Sequence, residues 1–242
     1  MRTLLVTFLS CSMFFSNAQP IDPLNTAKHC AYMTIEEQAM IREINLVRSD
    51  PGGYIKYIAP LLADAKKDLK TYGKGPKNYS LTFSSSTWNG VTKENIDTTW
   101  HFIWEENVRA LSSLIEDLKK LKKLSVLKPD TGIYHAARIY AADEHEHEWK
   151  LIHEGSDGSH PWDRIKKYSP SMSFGNENIA MMSGYPSVRD IVLLLLVDAG
   201  IPGYGHRDNI LDPQWTHIAC TTENYKSMYN WWLQEFGVRK KN

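Results

Sequence analysis

The 242-residue chain is poor in cysteine, with three, carries no excess of either charge, and has no apolar run beyond its N-terminus longer than the seven residues Ile191 to Val197. Each shortage excludes something. So few cysteines leave the fold to rest on its own core. Lys+Arg is 28 and Asp+Glu is 28, so the formal net charge is zero, and bulk electrostatics gives no reason to expect nucleic acid or an anionic membrane as a partner. Seven apolar residues fall well short of the ~20 that span a bilayer as a helix. The sequence also lacks Gly-x-Ser-x-Gly and His-Glu-x-x-His, the signatures of an elbow nucleophile and of a zinc protease. What the chain has is core material: 42% hydrophobic residues, with 8 Trp, 12 Tyr and 7 Phe. Disordered, collagenous and coiled-coil readings fail on that composition.

Residues 1–18, MRTLLVTFLSCSMFFSNA, combine Arg2, an apolar run from Leu4 to Phe15, and small residues Ser16 and Ala18 at the −3 and −1 positions of a cleavage site. This is the pattern of a secretory signal cut after Ala18, and it predicts a periplasmic, secreted or extracellular protein. Phe8-Leu9-Ser10-Cys11 is a poor lipobox, so lipid anchoring at Cys11 is the weaker alternative. Removal of residues 1–18 leaves 27 Lys+Arg against 28 Asp+Glu and two cysteines, Cys30 and Cys220. They either pair or stand as separate thiols, one on an N-terminal arm and one in a buried strand.

Residues 19–33 read as an irregular lead-in, and 34–238 as a single domain. Thr34 with Glu37 is a capping box that opens a helix through Ile41, Ile44 and Val47, stopped at Ser49-Asp50-Pro51-Gly52-Gly53. Tyr54 to Lys70 continues helically. Residues 71–99, rich in Gly, Ser, Thr and Asn, read as an insertion with a short hairpin, and Asn78-Tyr79-Ser80 forms a glycosylation sequon. Val108, Leu111, Ile115 and Leu118 predict a helix from about Trp104 to Leu124 with a lysine-rich end, and Ile133, Ala136, Ala137 and Tyr140 predict a third reaching about Trp149. Ser187 and Asp190 cap a further helix stopped at Gly200, its apolar residues nearly encircling it. Strands are expected at 217–222 and 229–237, so the fold class is α+β.

Histidine marks the candidate chemistry. In Glu144-His145-Glu146-His147-Glu148 the two imidazoles are two apart on a helix and diverge, which suits a solvated helix end better than a ligand pair. His153 enters a Gly155-Ser156-Asp157-Gly158-Ser159 turn, Glu177 sits between Asn176 and Asn178, and His206 follows Gly203-Tyr204-Gly205.

The His-x-Gly-Ser-Asp-Gly-Ser loop at 153–159, Asn-Glu-Asn-Ile-Ala at 176–180, Gly-His-Arg-Asp-Asn-Ile-Leu at 205–211 and the closing Trp231-Trp232-Leu233-Gln234-Glu235-Phe236 stand in the order found in the CAP superfamily. That superfamily groups cysteine-rich secretory proteins, antigen 5 and pathogenesis-related proteins, and the sequence resembles its bacterial, SCP-like exported branch. The resemblance is dense over about 136–236 and absent from 71–99. It implies a three-layer α-β-α sandwich with a mostly antiparallel sheet and a cleft lined by His153, Glu177, His206 and a second acid. The family's glutamate at that last position is replaced here by Asp198. The two cysteines left after cleavage are too few for the disulfide pattern of eukaryotic members.

Two neutral imidazoles suit a divalent cation, Zn²⁺ above others, with Glu177 and Asp198 orienting them or completing the coordination sphere. Three readings follow. In the first, the cleft binds a cation reversibly and presents a small ligand, lipid or extracellular protein, with affinity falling below pH ~6.5. In the second, Glu177 and His206 are catalytic in a metal-assisted hydrolase. In the third, the quartet only pins loops together.

Overall fold

A computed structural model describes residues 22–88, 91–147, 151–225 and 229–241. The signal-sequence reading and Cys11 fall outside those residues. The first helix, α1 (Ile35–Ser49), opens on the expected capping box: Glu37 N donates to Thr34 Oγ1 at 3.2 Å and Thr34 N donates to Glu37 Oε2 at 2.8 Å. Asp50 ends it and caps α2 (Pro51–Tyr72), whose first position holds a proline that lacks only an N–H the helix leaves unbonded anyway. The lead-in is irregular but docked. Ala27 and Met33 are buried, and Asn45 of α1 donates to Leu24 O and Leu127 O while accepting from Leu127 N at 2.7 Å. Cys30, half-buried there, and Cys220, buried in a strand, remain separate thiols.

The insertion departs from its expectation in scale. It forms an antiparallel ribbon of β1 (Lys77–Trp88) and β2 (Val91–Phe102), twelve residues each, forming a sheet of its own. Helix α3 (Ile103–Lys120) then ends four residues before the expected Leu124. Tertiary bonds override helix propensity there: Leu124 N donates to Arg48 O at 2.8 Å and Arg48 Nε donates to Ser125 O at 3.1 Å, drawing the chain into an extended strap. Helix α4 (Thr131–Glu146) is capped by Asp130, which accepts from Gly132 N and Ile133 N; the expected end near Trp149 lies outside the described residues. Helix α5 (Pro161–Tyr168) and strand β4 (Met172–Ser183) follow. The Ser187–Asp190 box opens α6 (Val188–Val197), and α7 (Gly205–Leu211) comes after a single 3₁₀ turn. Helix α6 is less enclosed than its composition suggests. Ile191, Val192, Leu195 and Leu196 are buried, but Leu194 on the opposite side is 42% exposed.

Strand β3 (Lys128–Pro129), β5 (His217–Tyr225), β6 (Tyr229–Arg239) and β4 form the main sheet in the order β3-β5-β6-β4, with the first pair parallel and the others antiparallel. Alternation sends its two faces into different layers. Ile179, Trp231 and Leu233 pack with Ala137, Tyr140 and Ala141 of α4, and Arg138 of α4 donates to Thr221 at 3.0 Å. On the other face Ile218, Trp232 and Phe236 join the cluster containing Ile41 and Ile44 of α1 and Ile191 and Leu195 of α6. Helices thus cover both faces of a mostly antiparallel sheet, the three-layer α+β arrangement expected from the sequence.

Candidate functional site

Edge strand β4 carries the centre of the site, Asn176-Glu177-Asn178. A glycine comes just before it because α5 presses on the strand: a Cβ at Gly175 would meet Ile165 Cδ1 at 2.5 Å and Phe236 O at 2.8 Å. Glu177 points to the α4/α5 side with its side chain 0% exposed. Its Oε1 lies 2.9 Å from His153 Nδ1, and its Oε2 accepts from Arg164 Nη2 at 2.8 Å. Arg164 also donates to His153 O and Ser159 O, and its guanidinium lies 3.8 Å over the Tyr140 ring. One buried cation therefore neutralises the carboxylate and fixes the loop that carries the histidine.

The second pair repeats this design. Asp198 closes α6 with φ 54° and ψ 35°, the left-handed conformation that turns the chain back. From there its Oδ1 lies 2.7 Å from His206 Nδ1, and its Oδ2 accepts from His206 N at 2.9 Å. In both pairs the acid is buried and the ring reaches water: the His153 and His206 side chains are 53% and 22% exposed, the acids 0% and 3%. A carboxylate offers only lone pairs to a ring nitrogen, so Nδ1 of each imidazole is the donor in its pair. Among the described residues no hydrogen bond reaches either Nε2.

Asparagines join the pairs. Asn178 Nδ2 donates to His206 O at 3.0 Å, and Asn209 Nδ2 donates to Asn178 Oδ1 at 2.8 Å and to Glu177 O at 3.1 Å. Asn176 Nδ2 donates to Asn209 Oδ1 at 3.0 Å. The first turn of α7 is thereby clamped to the edge of β4, so His153 and His206 flank the same three residues. A separate cleft of about 200 Å³ lies beside them, lined by Tyr140, Asp143, Ser156, Asp157, Arg164 and Lys167 among others; neither histidine lines it.

The other histidines behave as solvated or structural groups. His147, 44% exposed, has Nδ1 2.7 Å from Asp143 O at the end of α4. Ser156 donates to Asp143, and Ser159 N donates to Asp157 Oδ1 at 2.9 Å, so these hydroxyl residues build the loop. Sequence reasoning missed Arg164 and Glu235, as well as the linking role of Asn209. Arg164 gave no signal, because its partner lies 13 residues on in another element. Glu235 did give one, since strand alternation places it on the same inward face as Leu233. It stands opposite Glu177 in the β4–β6 register, 0% exposed, with neither carboxylate oxygen hydrogen-bonded among the described residues. Burial, then the nearby Glu177, pushes its carboxyl well above the usual range, while Arg164 opposes that shift.

The profile of the cysteine-rich secretory protein family, CAP, matches residues 61–236. The chain belongs to the CAP family. The match takes in all four of His153, Glu177, Asp198 and His206, and it extends through the inserted ribbon, where the motifs alone gave no resemblance. Among solved structures, the CAP chain is similar to an outer surface protein from Borrelia burgdorferi, with 26% identity, a TM-score of 0.42, and coverage of 56% of this chain and 95% of that one. No curated protein matches it. Among the described residues no helix is long and apolar enough to cross a membrane, and no group of three or more His, Cys, Asp or Glu side chains is placed to hold a metal ion.

Proposed function

We propose that this CAP domain is exported and non-enzymatic, and that it binds a divalent cation, Zn²⁺ above others, reversibly through His153 and His206. The bound ion presents an open position to a small ligand or extracellular partner. One observation carries the reading: each ring has Nδ1 held by its own buried carboxylate while no hydrogen bond among the described residues reaches Nε2, the pairing that carboxylates make with metal-binding histidines. Glu177 and Asp198 act as orienting groups, since their oxygens are engaged by the rings and by Arg164 and the His206 backbone. The proposed site is an open one: two imidazoles are fewer protein ligands than zinc sites usually carry, so water or ligand would complete the coordination. When bound, the ion supplies positive charge and open coordination positions. The protein's own work is to fix both tautomers and keep the rings at the surface.

Calorimetric titration of metal-free protein with Zn²⁺ tests this. Binding should be lost in His153→Ala/His206→Ala and weaken about tenfold or more in Glu177→Gln. Equal heats for wild type and the double variant would overturn it in favour of a purely structural network.

A further inference from the structure

The inserted ribbon has no place in the main sheet, yet its base reaches the loop that sets His206. A two-stranded ribbon is marginal alone and needs packing to persist. Here Ile103 N donates to Pro76 O at 2.9 Å and Trp104 N to Lys74 O at 3.2 Å, tying both ends of the ribbon to the start of α3. On its inward face Ser80 Oγ lies 3.0 Å from His101 Nε2. His101 Nδ1 lies 3.5 Å from Glu106 Oε2 and 3.2 Å from Arg109 Nη2, and Arg109 also pairs with Glu106. His101 and Glu106 are nearly buried, with side chains 8% and 6% exposed. The other oxygen, Glu106 Oε1, accepts from Gly200 N at 3.2 Å.

Gly200 is two residues beyond Asp198, in the turn between α6 and α7, and holds φ +88°, which a side chain rarely adopts. A Cβ there would stand 4.0 Å from both Asn78 Nδ2 and His101 Cδ2, so the base of the ribbon lies directly against it. The same turn is closed by Ile201 N donating to Asp198 O at 3.2 Å. Thus a continuous chain of contacts runs from the ribbon through Glu106 and Gly200 to Asp198 and His206.

We infer that Glu106 is a positioning residue for His206, and that the ribbon base at Ser80 and His101 serves as the latch that keeps Glu106 on Gly200. His101, itself held by Ser80, and Arg109 flank Glu106 Oε2, while Gly200 N–H donates to Oε1. The two oxygens of the carboxylate thus join the ribbon base and α3 to the Gly200 turn. If it leaves Gly200, the 198–201 turn loses an anchor, and Asp198 loses the fixed orientation that sets the imidazole tautomer. The inference rests on the proposed role of His206, but its test does not require a metal.

The experiment follows the ring nitrogens and the Nδ1 proton of His206 by ¹⁵N–¹H NMR in full-length, metal-free protein, with His153 as internal reference. In Glu106→Leu the His206 Nδ1 proton should exchange about tenfold faster and its nitrogen shifts should move, while those of His153 stay in place. Glu106→Gln, which keeps an oxygen for Gly200 N–H, should restore the wild-type His206 signals. If Glu106→Leu does not fold, Ser80→Ala with His101→Phe loosens the latch while leaving Glu106 intact and should give the same selective change. Unchanged His206 signals in a folded variant would overturn the inference, as would equal changes at both histidines. A selective His206 change with no zinc binding in wild type would uphold the latch and refute the cation reading, and so would zinc binding that is unaffected by a displaced His206.

Discussion

Glu235 offers the sharpest energetic test, because a buried carboxyl with neither oxygen bonded among the described residues is a cost that sheet formation alone does not require. An unsatisfied buried polar group costs about 1–3 kcal/mol. Glu235→Met keeps the length and removes the polar atoms, so the variant should gain about that much. For a chain of this size the gain corresponds to a rise in Tm of about 2–4 °C per kcal/mol. Acid–base linkage sharpens the expectation. Burial, with Glu177 second, raises the native pKa of Glu235 above its unfolded value, so between the two the native state holds a proton that the unfolded chain has released. This group's contribution is therefore fully present below the unfolded carboxylate pKa of about 4.3 and is lost as pH rises through the native value, at up to about 1.4 kcal/mol per pH unit. Urea unfolding followed by tryptophan fluorescence at pH 5 and pH 8 checks both parts. The advantage of Glu235→Met over wild type should widen at pH 8. A constant advantage, or a wild type more stable at pH 8, would refute the reasoning and show that Glu235 has a partner holding it ionised.

Arg164→Ala should destabilise the fold by about 3–5 kcal/mol in chemical denaturation, because it strands the Glu177 carboxylate in the interior. Gly175→Ala should cost about 1–3 kcal/mol by driving a methyl into Ile165 and the Phe236 carbonyl, measurable as a lower urea midpoint. Burial first, then Arg239, depresses the pKa of His217, so its contribution to stability is present above the unfolded value of about 6.5 and is lost as pH falls toward the native one. Melting curves between pH 7 and pH 5 should therefore fall less steeply for His217→Gln than for wild type.

Legibility in the sequence followed the range of the interaction. Helix α1 could be read because Thr34 and Glu37 cap it within four residues, and α6 because Ser187 and Asp190 do the same. Strand β4 was not legible: Asn176, Glu177 and Asn178 interrupt its apolar pattern, and all three face partners in α5, α7 or the 153 loop. Helices α5 and α7, of eight and seven residues, are too short for a period to show. The length of the ribbon was hidden because residues 71–99, rich in Gly, Ser, Thr and Asn, show no sustained apolar period. At the site, the resemblance named His153, Glu177, Asp198 and His206, and the structure pairs them two by two. It did not name Arg164, Asn209 or Glu106, whose roles arise only when distant elements meet.

The most direct measurement of the cation proposal is a zinc-edge anomalous map from a crystal of the protein soaked in Zn²⁺ at neutral pH. A single peak bonded to His153 Nε2 and His206 Nε2 at about 2.0–2.1 Å is the expected result. Two Nε2 atoms too far apart to share one ion, or a peak elsewhere on the molecule, would contradict it.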